Sequence, residues 1–66
     1  MLVTVNGRGM EVPDGTTAKS LIVILGLDPE RVAMEIDGDI CPRAIWDSVE
    51  LFEGQYIELV SFVGGG

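Results

Sequence analysis

Sixty-six residues suffice for one domain, and a chain this short buries only about 60% of the surface it exposes when unfolded. Such a thin core can hardly surround the ~300–1,000 Å³ of a ligand pocket. Eleven acidic residues against four basic ones give a net charge of −7, which excludes nucleic acid and anionic membrane as partners, because both are held through Lys and Arg on phosphate groups.

Leu2 to Asn6 alternate apolar and polar residues around Val3 and Val5, the pattern of a half-buried strand. Asn6-Gly7 favours the positive φ angles of a tight hairpin, and a second short strand is expected at Met10 to Val12. Pro13-Asp14-Gly15 breaks that strand, and Thr16 or Thr17 stands where a helix would be capped. Ala18, Leu21, Ile22 and Leu25 recur at the spacing of one helical face, and Gly26 suits the left-handed position that ends a helix.

Asp28-Pro29-Glu30 reads as a turn into a strand over Val32 to Ile36, where Val32, Met34 and Ile36 alternate with Ala33 and Glu35. Asp37-Gly38 predicts a second hairpin, with its return strand at Asp39 to Cys41, ended by Pro42-Arg43. Ala44 to Val49 is read as a loop or a single helical turn anchored by Trp46. Glu53-Gly54 turns the chain into a last strand, Gln55 to Val63. The order β-β-α-β-β-β, with one helix to cover one face of a mixed sheet of four to five strands, is the α+β ubiquitin-like β-grasp. It spans residues 1–63 and leaves 64–66 as a flexible glycine tail.

Groups able to do chemistry are scarce. There is no His, and Arg8, Lys19, Arg31 and Arg43 are the four cations. No catalytic residue and no metal ligand set is assigned. Gly7-Arg8-Gly9 lacks the Lys-Ser/Thr and the helix start of a phosphate-binding loop, so no bound cofactor is expected. The single Cys41 forms no intramolecular disulfide. With no His to activate it, it is read as a packing residue, as are Met10 and Met34. The start of the sequence shows no basic region or cleavage site, and the longest apolar run, Leu21 to Leu25, is too short to cross a bilayer. The expected setting is the cytoplasm.

In the last strand, Ile57 and Leu59 fall on the opposite phase to Val60, so one set is expected toward the helix and the other outward. Val60, Phe62 and Val63 form the expected partner interface, because exposed apolar surface beside a terminus marks a docking site. Trp46 is left open between core and interface. Lacking Cβ atoms, Gly64, Gly65 and Gly66 can thread a channel too narrow for other residues. A glycine-rich end standing alone is often only a frayed terminus.

The chain resembles the ThiS family of sulfur carriers over essentially its whole length. The shared pattern runs through Val5-Asn6-Gly7, Gly15-Thr16, Leu25-Gly26-Leu27, Val32-Ala33, Gly38, Pro42-Arg43, Trp46 and Gly54 to Glu58, Val60 and Val63-Gly64-Gly65-Gly66. Thr17, Cys41 and Gln55 depart from it without touching the tail. The resemblance implies that a ThiF-like adenylating enzyme, using ATP and Mg²⁺, activates the carboxylate of Gly66. A persulfide sulfur donor then converts it to a thiocarboxylate, which supplies sulfur to a ThiG-like thiazole synthase for the thiazole ring of thiamine. On this reading the protein is a co-substrate and not an enzyme. Two alternatives stay open: a carrier for molybdopterin, tRNA thiolation or cysteine synthesis, and a non-catalytic ubiquitin-like interaction domain.

Overall fold

Two-residue turns set the strand register at both edges of the sheet. The computed structural model describes residues 1–62. Leu2–Val5 (β1) and Arg8–Glu11 (β2) pair antiparallel, Leu2 opposite Glu11 and Val5 opposite Arg8. Asn6 and Gly7 between them have φ of 49° and 83°, the doubly left-handed turn whose twist matches that of the strands. The expectation of a strand at Met10 to Val12 is corrected here. A two-residue turn puts Arg8 straight into the ladder, so the strand starts two residues earlier and carries Gly9 within it. Met10 is half-buried against the core and Met34 fully buried.

Thr17 caps the helix Ala18–Ile24 (α1). Its hydroxyl accepts from the Ser20 N–H at 3.1 Å while the Ser20 hydroxyl accepts from the Thr17 N–H at 2.7 Å, a reciprocal pair that satisfies two amides the helix leaves free. At the other end Gly26, at φ +69°, donates to the Val23 carbonyl, and Leu27 donates to that of Ile22. This is the left-handed glycine closure expected of that position.

Pro29–Arg31 is a short 3-10 turn, and Val32–Ile36 (β3) then pairs antiparallel with Asp39–Cys41 (β4) across Asp37-Gly38, at φ 51° and 88°. The segment expected as a loop or single turn at Ala44 to Val49 is a 3-10 helix over Arg43–Ser48. It begins one residue early because Pro42 sits just before it at φ −63° and precedes the turn without needing an N–H of its own.

The final strand, Tyr56–Ser61 (β5), is shorter than Gln55 to Val63. Gln55 belongs to the preceding turn: its N–H donates to the Phe52 carbonyl and its side chain accepts from the Phe52 N–H. Val63 lies outside the described residues.

The strand order is β2-β1-β5-β3-β4, with β1 and β5 parallel at the centre and the remaining pairs antiparallel. Ala18, Leu21 and Ile22 of α1 are fully buried in one cluster with Val3, Val32, Met34, Leu51 and Ile57. Trp46 joins this cluster at 1% exposure, which settles its place as core. The architecture is the α+β, ubiquitin-like grasp of one helix by one mixed sheet.

Candidate functional site

β5 is the central feature of the sheet, flanked by β1 and β3, and it carries the chain toward residues 63–66. Successive side chains of a strand point to opposite faces. Ile57 is buried toward α1 and Leu59 packs against the same core, while Tyr56, Glu58 and Val60 stand on the open face. The outward phase expected for Val60 is observed, and Phe62 is likewise exposed.

The neighbours of Val60 on that face come from distant parts of the chain. Ala33 lies directly opposite Val60, and Glu35 lies opposite both Glu58 and Ile40. Ile40 is 78% exposed, Val60 60% and Phe62 50%, so the open face carries an apolar strip with a pair of carboxylates beside it. Like charges directly across a ladder repel, and a cationic group on a docking partner would relieve the Glu35–Glu58 repulsion. Sequence reasoning missed Ile40 and Glu35 because short strands show no register until they pair. The usable signal was the alternation of Ala33, Glu35 and Ile40 out of phase with buried Val32, Met34 and Cys41.

The end of β5 is tied to the start of β3: the Phe62 N–H donates to the Arg31 carbonyl at 2.8 Å. Arg43, also missed, braces this corner. Its Nε donates to the Pro29 carbonyl at 2.7 Å, and its guanidinium lies 5.8 Å from the centre of the Trp46 ring. The Trp46 indole N–H in turn donates to the Cys41 carbonyl at 2.8 Å. A hollow of about 160 Å³ opens here between Phe62, Ala33, Ile40, Pro42 and Arg43, too small for a nucleotide.

A larger open depression, about 380 Å³, lies at the far end between Met1, Asp14, Glu50, Phe52 and Glu53. It is open to solvent and not surrounded by the core, as expected of so small a domain. Its three carboxylates repel phosphate groups.

Cys41 is buried, as expected of a packing residue, and burial pushes its thiol above the ordinary range. That suppresses the thiolate, the form that attacks or binds metal. Among the described residues, no three His, Cys, Asp or Glu converge as metal ligands. Of the expected interface, Val60 and Phe62 are brought onto one surface. Val63 and the glycines Gly64, Gly65 and Gly66 lie outside the described residues.

The same architecture occurs in the crystal structure of a thiamine biosynthesis protein (ThiS) from Geobacter metallireducens. That protein is 29% identical, with a TM-score of 0.85 and 100% of each chain covered. Among curated proteins, the chain is 38% identical over 66 residues to a thiazole synthase of Magnetococcus marinus and 32% identical to one of Paramagnetospirillum magneticum. The match takes in 100% of this chain but only 20% of either relative, so the chain spans about a fifth of their length. The ThiS family model matches residues 3–66, from within β1 through the last glycine. With fold and sequence in agreement from end to end, the chain belongs to the ThiS family.

Proposed function

We propose that this protein is a sulfur carrier for thiamine synthesis, with Gly66 as the residue that carries the sulfur. The observation that supports the reading most directly is the family match, which continues through residue 66. A carrier also needs a rigid body behind its reactive end, and β5 supplies one by running between two strands toward that end.

A carboxylate is a poor electrophile until it is activated, and this reading gives that step to a ThiF-like partner with ATP and Mg²⁺. The Gly66 carboxylate attacks the α-phosphate, pyrophosphate leaves, and an acyl-adenylate forms. A persulfide sulfur then displaces AMP, and a second thiol cleaves the resulting S–S bond to release the thiocarboxylate.

The body of residues 1–63 serves as the handle and 64–66 as the arm, since glycines admit backbone conformations closed to other residues. The apolar strip of Ile40, Val60 and Phe62 is the docking surface, and the net charge of −7 steers the domain toward basic partners. Two relatives that resemble this chain over a fifth of their length are thiazole synthases, which favours a ThiG-like enzyme as the sulfur acceptor.

The test is mass spectrometry of the protein after incubation with a ThiF-type enzyme, ATP and a persulfide donor. The expected product has gained the mass of one oxygen-to-sulfur exchange, located on Gly66. Deleting Gly65 and Gly66 should abolish it. Sulfur retained by the truncated chain, or mapped to Cys41, would refute the reading.

A further inference from the structure

β5 is gripped at its start and again at Leu59, two residues before its end, by the first residues of two similar turns, and the two grips differ in a way the turns do not explain. Asp37 holds the start: its backbone N–H donates to the Tyr56 carbonyl at 2.7 Å, and its carboxylate accepts from the Tyr56 N–H at 2.9 Å. Asn6 holds the stretch from Ile57 to Leu59. Its backbone N–H donates to the Ile57 carbonyl, and two residues further on its side chain makes both remaining bonds. Oδ1 accepts from the Leu59 N–H at 2.7 Å and Nδ2 donates to the Leu59 carbonyl at 3.2 Å.

The two residue types follow from this geometry. The parallel register of β1 with β5 ends at Val5 opposite Ile57, because Asn6 enters the left-handed region at φ 49° and its own peptide turns away. Leu59 would then present an N–H and a carbonyl with no strand beside them. A carboxylate can only accept, whereas an amide donates and accepts together. Asp suffices at position 37 because the backbone supplies the donor. Position 6 needs Asn, since the side chain must supply both. Asn6 thus stands in for one more peptide unit of β1.

We propose that Asn6 is a positioning residue that fixes the direction in which the chain leaves the sheet toward Gly66. Beyond Leu59, the described chain is held on the β3 side alone, through the pairing of Val60 and Ser61 and the Phe62 bond to Arg31. Among the described residues, the Asn6 amide makes the last hydrogen bonds to β5 from the β1 side. With it, β5 is braced on two sides to within three residues of Phe62. Without it, that stretch can swing about the β3 ladder, and a partner must restore its direction on binding. The ordering then weakens association while leaving the chemistry of the bound end untouched. The proposal rests on the reading of Gly66 as the reacting residue.

The experiment compares the unaltered domain with Asn6→Gly and Asn6→Asp, each checked for folding by circular dichroism. Glycine keeps the turn and removes the clamp, and aspartate keeps the acceptor but loses the donor. The assay is ATP–pyrophosphate exchange with a ThiF-type enzyme, with KM and kcat read for the domain. We expect Asn6→Gly to raise KM about fivefold, the order expected for one net hydrogen bond, with kcat within about twofold. Asn6→Asp should fall between.

Amide hydrogen exchange on the free domain provides a readout without the enzyme. Leu59 and Val60 should exchange at least about tenfold faster in Asn6→Gly, while Val3 and Met10 keep their relative protection. An unchanged KM, or a loss confined to kcat, overturns the positioning role even if the exchange speeds up, since the clamp would then be structural only. If the unaltered domain is not adenylated at all, the Gly66 reading has failed. The positioning claim then depends on exchange alone, and unchanged Leu59 and Val60 amides overturn it.

Discussion

Replacing Trp46 by Phe removes one hydrogen-bond donor and one ring from the place where the Arg43–Ser48 turn packs on the core. Trp46 is 1% exposed, and its indole N–H donates to the Cys41 carbonyl at 2.8 Å. Phe cannot make that bond. The Cys41 carbonyl keeps its ladder bond to Met34 between β3 and β4, so the loss is that of one net hydrogen bond, about 0.5–1.5 kcal/mol. The ring atoms lost add a cavity and lost contacts worth about 1 kcal/mol. Together these come to about 1.5–2.5 kcal/mol. A 66-residue domain has only about 3–10 kcal/mol in all, so a large share of its stability goes. At about 4–8 °C per kcal/mol for a domain of this size, its Tm should fall by about 6–20 °C. The variant lacks the sole tryptophan, so thermal unfolding is followed by far-UV circular dichroism. A fall of less than ~2 °C would refute the reasoning, because Trp46 would then be neither a packed core residue nor the partner of the Cys41 carbonyl.

Thr17→Ala removes the capping hydroxyl bonded to the Ser20 N–H and should cost about 1 kcal/mol, read as a Tm fall of about 4–8 °C. Phe62→Asp should change stability by no more than ~0.5 kcal/mol, because the side chain is half exposed. It should nevertheless weaken association with a ThiF-type enzyme, since a charge there must be desolvated at the interface, and unchanged affinity by titration calorimetry would remove Phe62 from the docking surface. Cys41→Val bears on pH dependence. Burial raises the folded thiol above its ordinary value of 9.0, so the folded state holds its proton more tightly and stability falls as pH rises through the unfolded value toward the folded one. Urea titrations between pH 7 and 10 should show that fall above ~8.5–9 in the parent and a flatter profile in the Val variant.

The local elements were legible because their causes are local. Asn6-Gly7 and Asp37-Gly38 specify left-handed turns through residues adjacent in sequence. Thr17, Ser20 and Gly26 close a helix through bonds spanning three to five residues, and the Ala18, Leu21, Ile22 stripe gives the face it buries. The order of these elements, with the glycines at the end, already pointed to the fold and to the family. The same local view misplaced the ends of two strands. Arg8 and Gly9 carry no strand preference of their own and join β2 only because a two-residue turn brings them opposite Val5 and Thr4. Gln55 reads as strand but is held in the turn by its bonds to Phe52.

The sequence by itself determined the turns, the caps, the helix and its buried face, and the succession of strands, since each depends on residues a few positions apart. Only the tertiary structure decided which side chains meet. Trp46 could have faced a partner or the core. It is core because the Arg43–Ser48 turn folds it inward, where the Cys41 carbonyl takes its N–H. Ile40, Val60 and Phe62 become one surface only when β3 lies between β4 and β5. Asn6 reads as a turn residue and nothing more until Leu59, 53 positions away, is laid beside it. Nothing near either residue encodes that meeting: it follows from the parallel pairing of the first strand with the last, which the whole core, and no single segment, holds in register.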